Sequence, residues 1–420
     1  MSIKPGEIPG PQSILDTDLY KLTMQQAVLH YFPNVEARYQ FTNRSRDMRF
    51  SVACIEQFRA TVHRFSELSM TESEKHWLGI TCPYLTSQYL TYLSAYRFKP
   101  EQVQITFIPE PCNSDVGDIT IEISGPWVET ILWEVPLMAC LSEVYFQIVD
   151  TDWNYTGQED ITFEKAKTLI GAGCMFSEFG TRRRRSYIGQ DIVIKSLVQA
   201  TAEMPGKGSL SGTSNVHFAH KYAIAPIGTI AHEWFMGVAA MKGYKCANTM
   251  ALSLWEQIYH PHATMIALTD TFSTGCFFNE LSTKPSLMQR WHGVRQDSGD
   301  PYAFGPRAKH FYQSIGLNPA SKTIVYSDAL NVDKALRIKK QCEELGLPKV
   351  SFGIGTFFTN DFCTVSSGWI KKSNPLNIVI KLASVNNIPC VKISDDPMKN
   401  TGNKDAVNEV KHILNLYVAK

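Results

Sequence analysis

The feature that most constrains the fold of this chain is an alternation of short apolar segments with helical segments, which begins near residue 141. The intervening stretches are each long enough for one helix, namely residues 182–204, 232–242, 248–260, 302–316 and 331–345. The predicted strands are residues 174–178, 210–215, 226–229, 266–270, 292–296, 323–327 and 350–354. Strand-helix units of this kind form a parallel sheet, and seven strands favour a (β/α)8-type barrel over a small open sheet.

The segments on either side of this region follow a different pattern. We expect a flexible leader, then helices at 14–32 (capped by Asp16 or Thr17), 50–70 and 71–80, and strands at 35–41, 103–109 and 118–124. After residue 375, Ile378–Ile380 and Val391–Ile393 indicate antiparallel strands that rejoin the N-terminal part. The sequence therefore predicts two units: a barrel over 141–364, and an α/β domain built from 1–140 and 365–420.

Composition excludes several classes of protein. The 420 residues are 44% apolar and carry a net charge of +1. The overall charge therefore does not favour nucleic acid or an anionic membrane as a partner. The ten cysteines include no C-x-x-C pair, which argues against a structural zinc site or a disulfide scaffold. The N-terminus lacks a secretory h-region, and the apolar stretch Ile131–Leu141 is broken by Glu134 and Pro136. We expect a soluble protein of the cytoplasm, with a nuclear pool left open.

Polar motifs follow nearly every predicted barrel strand, at the face where barrel enzymes hold their sites. The first contains Phe179 and four consecutive arginines, Arg182–Arg185, at a predicted helix start. Guanidinium groups match phosphate oxygens, and a helix N-terminus adds backbone donors. Since consecutive helical residues point in different directions, we expect one or two arginines to reach a site. A solvated helix face or a nucleic-acid patch are the alternatives, although no wider basic and aromatic surface supports the patch.

His232 follows another predicted strand and opens a helix. There it could serve as an acid, a base or a nucleophile, and a purely structural histidine is the alternative. Glu233 cannot share its helix face, so it is not an orienting partner.

The remaining strand ends carry hydroxyls, carboxylates and glycines. Carboxylates there suit magnesium or ribose hydroxyls, Arg295 offers a clamp for a carboxylate, and Gly355-Thr356 can wrap backbone N–H groups around a phosphate. Ordinary turns and helix caps are the alternatives, and Asp300 fits a cap better than Asp297. The other candidates are Ser214, Asp270, Ser327 and Asp328. This set suits a flat anionic base plus a phosphorylated sugar, and leaves the base undetermined.

In combination these motifs closely resemble the nicotinate phosphoribosyltransferases, especially the fungal enzymes, over almost the whole chain. The similar segments are LDTDLYK (Leu15–Lys21), FTNRS (Phe41–Ser45), SEFGTRRRRS (Ser177–Ser186), GTSN (Gly212–Asn215), GTIAHEW (Gly228–Trp234), LTDTF (Leu268–Phe272), VRQDSGDP (Val294–Pro301), YSDALN (Tyr326–Asn331), FGIGTFFTND (Phe352–Asp361) and PLNIVIKL (Pro375–Leu382).

The resemblance implies the type II phosphoribosyltransferase fold, an irregular (β/α) barrel plus an α/β domain formed by both chain ends. It also implies a homodimer with shared sites. The implied reaction joins nicotinate to PRPP, giving nicotinate mononucleotide and pyrophosphate, with Mg²⁺ and coupled ATP hydrolysis, in NAD salvage by the Preiss–Handler pathway.

The resemblance further implies roles for the matching residues. His232 would be the phosphorylated histidine and, with Asp297 and Asp328, would form the catalytic group. Phe179 and a Tyr20 contributed by the other subunit would sandwich the nicotinate ring. Arg295 would lie near the carboxylate, Arg182 and the Gly355-Thr356 loop near phosphates, and Asp18, Asp270, Asp297, Asp328 and Ser327 near PRPP, with Asp270 and Asp297 as metal ligands.

Ser214 helps to choose the base. Related nicotinamide enzymes carry an aspartate there, which would accept from an amide but repel a carboxylate, whereas a hydroxyl suits the acid. The alternatives are nicotinamide or quinolinate phosphoribosyltransferase activity on a related fold, and a non-catalytic binding relative.

Overall fold

The computed structural model describes residues 9–228 and 230–416. In chain order the strands are β1 (Glu36–Asn43), β2 (Phe50–Ser51), β3 (Val103–Glu110), β4 (Asn113–Pro126), β5 (Met175–Glu178), β6 (Ser209–Thr213), β7 (Ile266–Leu268), β8 (Gly293–Gln296), β9 (Thr323–Tyr326), β10 (Val350–Ile354), β11 (Phe362–Cys363), β12 (Lys372–Ser373), β13 (Ile378–Val385) and β14 (Ile388–Pro389).

The helices occupy much of the remaining chain. In chain order they are α1 (Leu19–Tyr31), α2 (Val52–His63), α3 (Glu72–Thr81), α4 (Ser87–Ala95), α5 (Trp127–Thr130), α6 (Glu134–Ile148), α7 (Gln158–Gly171), α8 (Tyr187–Glu203), α9 (Val216–Lys221), α10 (His232–Lys242), α11 (Ala247–Tyr259), α12 (Thr274–Leu281), α13 (Pro285–Arg290), α14 (Pro301–Ser314), α15 (Val332–Glu344), α16 (Thr356–Thr359) and α17 (Lys404–Ile413).

Two predicted helices begin later in the structure than in the sequence prediction. Helix α1 begins at Leu19 instead of residue 14, because the expected cap Asp16 bonds to Arg184 and Asn215 instead of the helix backbone. Helix α8 begins at Tyr187 instead of residue 182, with Ser186 as its cap, so the four arginines precede the helix. The prediction of a helix over 50–70 was also too long, since α2 ends at His63 and continues as a 3-10 turn.

One sheet is antiparallel and joins the two ends of the chain. Its order is β14-β13-β1-β4-β2, with β3 paired to β4. Strand β13 from the C-terminal part pairs with β1 from the N-terminal part, and Phe41 lies opposite Ile380. The prediction that Ile378–Ile380 rejoins the N-terminal part is therefore confirmed, while the domain boundaries stay a prediction.

The second sheet is parallel, with the order β6-β5-β10-β9-β8-β7. Its strands alternate with helices, which confirms the mixed α/β class and the irregular barrel. The strand predicted at 226–229 was wrong: among its described residues only Pro226 forms a bridge, to Thr213, and proline has no N–H with which to extend a ladder. Thr229 lies outside the described residues.

The strand predicted at Val391–Ile393 was also wrong. Lys392 forms a single antiparallel bridge with Thr401, and Ile393 forms a single parallel bridge with Phe272. This segment therefore connects the C-terminal part to the strand ends of the parallel sheet.

Helix α6 and the segment before it form the centre of the core. Trp127–Ile148 is the one span among the described residues long and apolar enough to cross a membrane, and 89% of its most apolar window is buried within the fold. A helix that is apolar on every side needs such surroundings. All ten cysteines are free, and six of them are buried.

Candidate active site

A cationic cavity of about 530 Å³ lies at the carboxyl ends of the parallel strands. Its charged lining comprises seven cations and two carboxylates: Arg44, Arg182, Arg183, Arg295, Lys381, Lys392 and Lys399, with Asp297 and Asp328. Phe179, His232, Ser327, Gly355 and Thr356 also line it. The excess of positive charge in a confined space suits a ligand with several anionic oxygens.

The four arginines divide into two pairs. Arg182 and Arg183 line the cavity, and Arg182 also donates to Glu134 Oε1 at 3.2 Å. Arg184 is fully buried in a two-pronged ion pair with Asp16, both N–O distances being 2.8 Å. Arg185 is buried against the ring of Phe146, 3.6 Å from its centroid. The run is therefore no surface patch for nucleic acid.

His232 sits on the wall of the cavity among ionisable partners. Its Nδ1 lies 3.1 Å from Thr271 Oγ1, and its Nε2 lies 3.2 Å from Asp297 Oδ2 and 2.9 Å from Lys392 Nζ. Burial, together with the adjacent Lys392 ammonium, lowers the pKa of His232 to about 4. The imidazole is thus neutral at pH 7.

The two contacts of Nε2 call for opposite tautomers, because the Lys392 ammonium can only donate to it and the Asp297 carboxylate can only accept from it. In the tautomer with the proton on Nδ1, the ring donates to Thr271 Oγ1 and Nε2 keeps its lone pair toward Lys392. The side chain of Glu233 points elsewhere and binds Lys21, Tyr39 and Trp127. As the sequence indicated, Glu233 is no partner of His232.

Three carboxylates surround His232 or lie near it. Burial alone would raise the pKa of Asp297, but Arg295 and His232 hold it well below its usual range. Asp297 also accepts from Ser327 at 2.7 Å, and Asp328 pairs with Lys399. Asp270 does not line the cavity; it lies behind His232, 3.5 Å from Nε2. Asp300 caps α14, as its sequence context indicated.

Asp270, Asp297 and His232 also form a set that could hold a metal ion, since their ligand atoms lie within 4.8 Å of one another. Asp270 Oδ1 is buried and has no hydrogen-bond partner within the described part of the chain. Mg²⁺ prefers oxygen ligands and is commonly held by one or two carboxylates with substrate phosphates. The two carboxylates fit that pattern.

Besides Asp270, three predicted substrate contacts lie outside the cavity lining. Ser214 donates to Asp18 Oδ1 at 2.7 Å and both side chains are buried, so this hydroxyl is already used within the protein. Burial raises the pKa of Asp18, and Arg182 opposes this rise. Tyr20 lies within electrostatic reach of Arg182 in the same chain, although the resemblance implied that the other subunit supplies it.

Sequence reasoning missed four of the cations. Arg44, Lys381, Lys392 and Lys399 come from the N- and C-terminal segments, remote in sequence from the barrel motifs. Arg44 and Lys381 fall inside the segments FTNRS and PLNIVIKL, which is the only signal that could have marked them. Nothing local to Lys392 or Lys399 distinguishes them from surface lysines.

A parallel-stranded α/β unit with a cationic cavity at its strand ends is the arrangement typical of an α/β enzyme with anionic substrates. The model of the nicotinate phosphoribosyltransferase N-terminal domain matches residues 15–142, and the model of the family itself matches residues 174–417. The chain belongs to the nicotinate phosphoribosyltransferase family.

Individual relatives cover nearly the full chain. A nicotinate phosphoribosyltransferase of Methanosarcina mazei is 45% identical over 96% of this chain and 98% of its own length. That of Saccharomyces cerevisiae is 43% identical over 97% and 95%. The crystal structure of a nicotinate phosphoribosyltransferase from Saccharomyces cerevisiae superposes with a TM-score of 0.93, at 41% identity over 98% of this chain and 100% of that one.

Proposed function

We propose that the protein transfers the ribose 5-phosphate of PRPP to nicotinate, releasing pyrophosphate, and couples this reaction to ATP hydrolysis through a phosphohistidine at His232. The observation that carries the proposal is a neutral His232 whose Nε2 lies against Lys392 on the wall of a cavity with seven basic side chains. Membership of the family supplies the choice of nicotinate, and the product would enter NAD salvage.

The geometry around His232 suits a phosphoryl acceptor. The lone pair on Nε2 would attack the γ-phosphorus of ATP, forming the N–P bond as the bond to the bridging oxygen breaks and ADP leaves. The ring then carries positive charge, which the Asp270 and Asp297 carboxylates stabilise. Lys392 lies where it can compensate the charge of the incoming phosphoryl oxygens. Water would later cleave the N–P bond and return the neutral imidazole.

The transfer of the sugar requires charge compensation and positioning more than covalent chemistry. The phosphate groups of PRPP would be held by Arg182, Arg183 and the loop at Gly355-Thr356. The aromatic ring of Phe179 would position the pyridine ring of nicotinate. Bound Mg²⁺ would neutralise the departing pyrophosphate. As pyrophosphate leaves, positive charge develops at the ribose C1 atom, and the pyridine nitrogen attacks it.

The choice between nicotinate and nicotinamide rests on the charge around the base. Ser214 provides no carboxylate, and its bond to Asp18 ties up one oxygen of the carboxylate that is present. Arg295 would then hold the carboxylate of nicotinate. We propose that Ser214 acts on the choice of base through Asp18 instead of touching the substrate.

The test measures mononucleotide formation from PRPP and magnesium with nicotinate or nicotinamide, each with and without ATP. ATP-stimulated turnover of nicotinate alone supports the proposal. His232→Ala should lose the ATP effect and retain slow PRPP-dependent synthesis, while His310→Ala, at an exposed histidine of α14, should behave as the wild type. Retained ATP coupling in His232→Ala would contradict the phosphohistidine.

A further inference from the structure

The carboxylate of Glu178 lies at the end of β5, directly before Phe179, and the proposed reaction makes no use of it. Its side chain is fully buried and does not line the cationic cavity. Its hydrogen-bond donors in the described part of the chain are all neutral, and burial raises its pKa to about 7. Burying an acid costs free energy, so an acid that is kept beside a ligand cavity is a candidate for a functional role.

Both carboxylate oxygens of Glu178 are held by these donors. Oε1 accepts from the backbone N–H of Gly180. Oε2 accepts from Nε2 of Gln190 in α8 at 3.0 Å and from Oγ1 of Thr213 in β6 at 2.6 Å. The carboxylate therefore ties the backbone just after Phe179 to a helix and to the neighbouring strand of the parallel sheet.

The backbone around Gly180 is closely packed on the side of the Phe179 ring. Thr359 Oγ1 donates to the carbonyl of Gly180 at 2.9 Å, and a Cβ atom at Gly180 would lie 2.3 Å from that hydroxyl. The ring of Phe179 lies directly over Gly353, where a Cβ atom would come within 2.4 Å of the ring. Because packing here is so close, a small displacement of the backbone at Gly180 must be passed on to the ring.

Glu178 also contacts the segment that carries Ser214. The backbone carbonyl of Glu178 accepts from the N–H of Ser214 at 2.9 Å, and its side chain accepts from the preceding residue, Thr213. Ser214 in turn donates to Asp18. One residue thus connects the two elements that we propose to recognise the base, the ring of Phe179 and the Ser214–Asp18 pair.

We propose that Glu178 is a positioning residue for the base, and that its carboxylate fixes the backbone at Gly180 so that Phe179 presents its ring to nicotinate. The inference rests on the role proposed above for Phe179. An acid is required because the donors need an acceptor at both oxygens, whereas an amide has only one oxygen.

The first test is the variant Glu178→Gln. In either orientation of the new amide, its NH₂ group faces an N–H donor, of Gly180 or of Gln190. We expect the KM for nicotinate to rise at least about tenfold, the effect of one unsatisfied buried group, while the KM for PRPP changes less than about threefold. An unchanged KM for nicotinate, or equal rises in both KM values, would overturn the proposal.

A matched control is Glu280→Gln. Glu280 of α12 is another carboxylate that accepts from neutral donors, the side chain of Asn248 and the backbone of Thr249, and it lines neither the cationic cavity nor the turn at Phe179. Both KM values should stay at the wild-type level in this variant. A rise in the KM for nicotinate equal to that of Glu178→Gln would show a general effect of lost stability and contradict the proposal.

A second substitution should restore the hydrogen bonds. With Gln190→Glu added to Glu178→Gln, the amide oxygen at position 178 can accept from Gly180 while its NH₂ group donates to the new carboxylate. Arg184 Nη1, which donates to the side chain at position 190, keeps an acceptor there. The KM for nicotinate should return toward the wild-type value, and a value that stays raised would count against the proposed arrangement.

The variant Phe179→Ala separates this inference from the proposed function. If Glu178 acts through Phe179, Glu178→Gln should add little to the KM for nicotinate of Phe179→Ala. A raised KM in Phe179→Ala that rises again in full with Glu178→Gln would overturn the positioning role alone. An unchanged KM in Phe179→Ala would refute the proposed role of Phe179, and the inference with it.

The variant Glu178→Asp keeps the test decisive if Glu178→Gln does not fold. It retains the charge, but the shorter side chain cannot reach Gly180 and the donors on Gln190 and Thr213 together. Circular dichroism and thermal unfolding establish that the variant is folded. We expect a raised KM for nicotinate, and a wild-type value in the folded protein would overturn the proposal.

Discussion

The Nζ atom of Lys392 lies 2.9 Å from Nε2 of His232 and 3.4 Å from Oδ2 of Asp270. Lys392 and His232 are 160 positions apart in the sequence, and Lys392 belongs to a segment with no regular secondary structure. The lysine therefore lowers the pKa of His232, while the carboxylates of Asp270 and Asp297 act to raise it.

Removing this lysine should change the pKa of His232. In Lys392→Met the two carboxylates remain and the opposing ammonium is lost, so we expect the pKa of His232 to rise from about 4 toward or above its ordinary value of 6.5. Titration of the imidazole signals by NMR measures this directly. A pKa that stays near 4 in the variant would show that burial alone sets it.

The proposed phosphorylation of His232 should be insensitive to pH over a wide range. In that proposal the nucleophile is the neutral imidazole, and the lowered pKa of about 4 means that it remains neutral well below pH 6.5. We expect the rate of phosphoenzyme formation at saturating ATP to be constant from pH 8 down to about pH 5. Acid-quenched incorporation of labelled phosphate gives the profile, and a fall centred near pH 6.5 would contradict the expectation.

Anion binding should be accompanied by proton uptake at Lys381. Burial, together with Lys392 and Arg44, lowers the pKa of Lys381 to about 7, and a bound pyrophosphate should raise it again. Between pH 7 and 9 we therefore expect pyrophosphate binding to take up a fraction of a proton, which calorimetry in buffers of different ionisation enthalpy measures. Lys381→Met should lose this uptake, whereas Lys242→Met, at an exposed lysine of α10, should keep it.

The origin of Tyr20 can be tested by mixing two inactive variants. Tyr20 interacts electrostatically with Arg182 of its own chain, so we expect each site to need both Tyr20 and His232 from one chain. Mixtures of Tyr20→Ala with His232→Ala, unfolded and refolded together, should therefore recover no ATP-coupled activity beyond the sum of the separate proteins. Recovery would mean that the second subunit of a homodimer supplies Tyr20.

Breaking the buried ion pair between Arg184 and Asp16 should destabilise the fold. Arg184→Met leaves a buried Asp16 carboxylate without its cation, which should lower the free energy of unfolding by roughly 3–5 kcal/mol. The double variant with Asp16→Asn should lose less, because Asp16 then carries no charge to leave unpaired. Urea denaturation of the wild type, the two single variants and the double variant gives the comparison, and additive losses would argue against the pairing.

Local patterns in the sequence predicted the elements well where periodicity was strong. Helix α10 occupies the predicted residues 232–242, and the parallel strands lie within two residues of their predicted bounds, apart from the segment at Pro226. That segment failed because a proline interrupts the ladder, and α1 was shortened because a distant arginine binds Asp16. In both cases one particular residue determined the local structure, against the secondary structure that the surrounding sequence favours.

The candidate site was less predictable than the fold. Residues that follow the parallel strands could be found because the carboxyl ends of such strands meet at one face. The lysines at 381, 392 and 399 could not, since their position depends on the pairing of β13 with β1 and on the bridge from Ile393 to Phe272. Ser214 could be singled out from the sequence, but its bond to Asp18 depends on three-dimensional contact.

The pairing of β1 with β13 has a consequence for biosynthesis. Glu36–Asn43 is synthesised long before its strand partner β13 and before the lysines at 381, 392 and 399 that line the cationic cavity. A nascent polypeptide therefore has no complete cationic cavity until residue 399 has been synthesised. Premature termination anywhere before residue 392 would leave His232 without Lys392, so truncated products should lack the ammonium that lies against its Nε2.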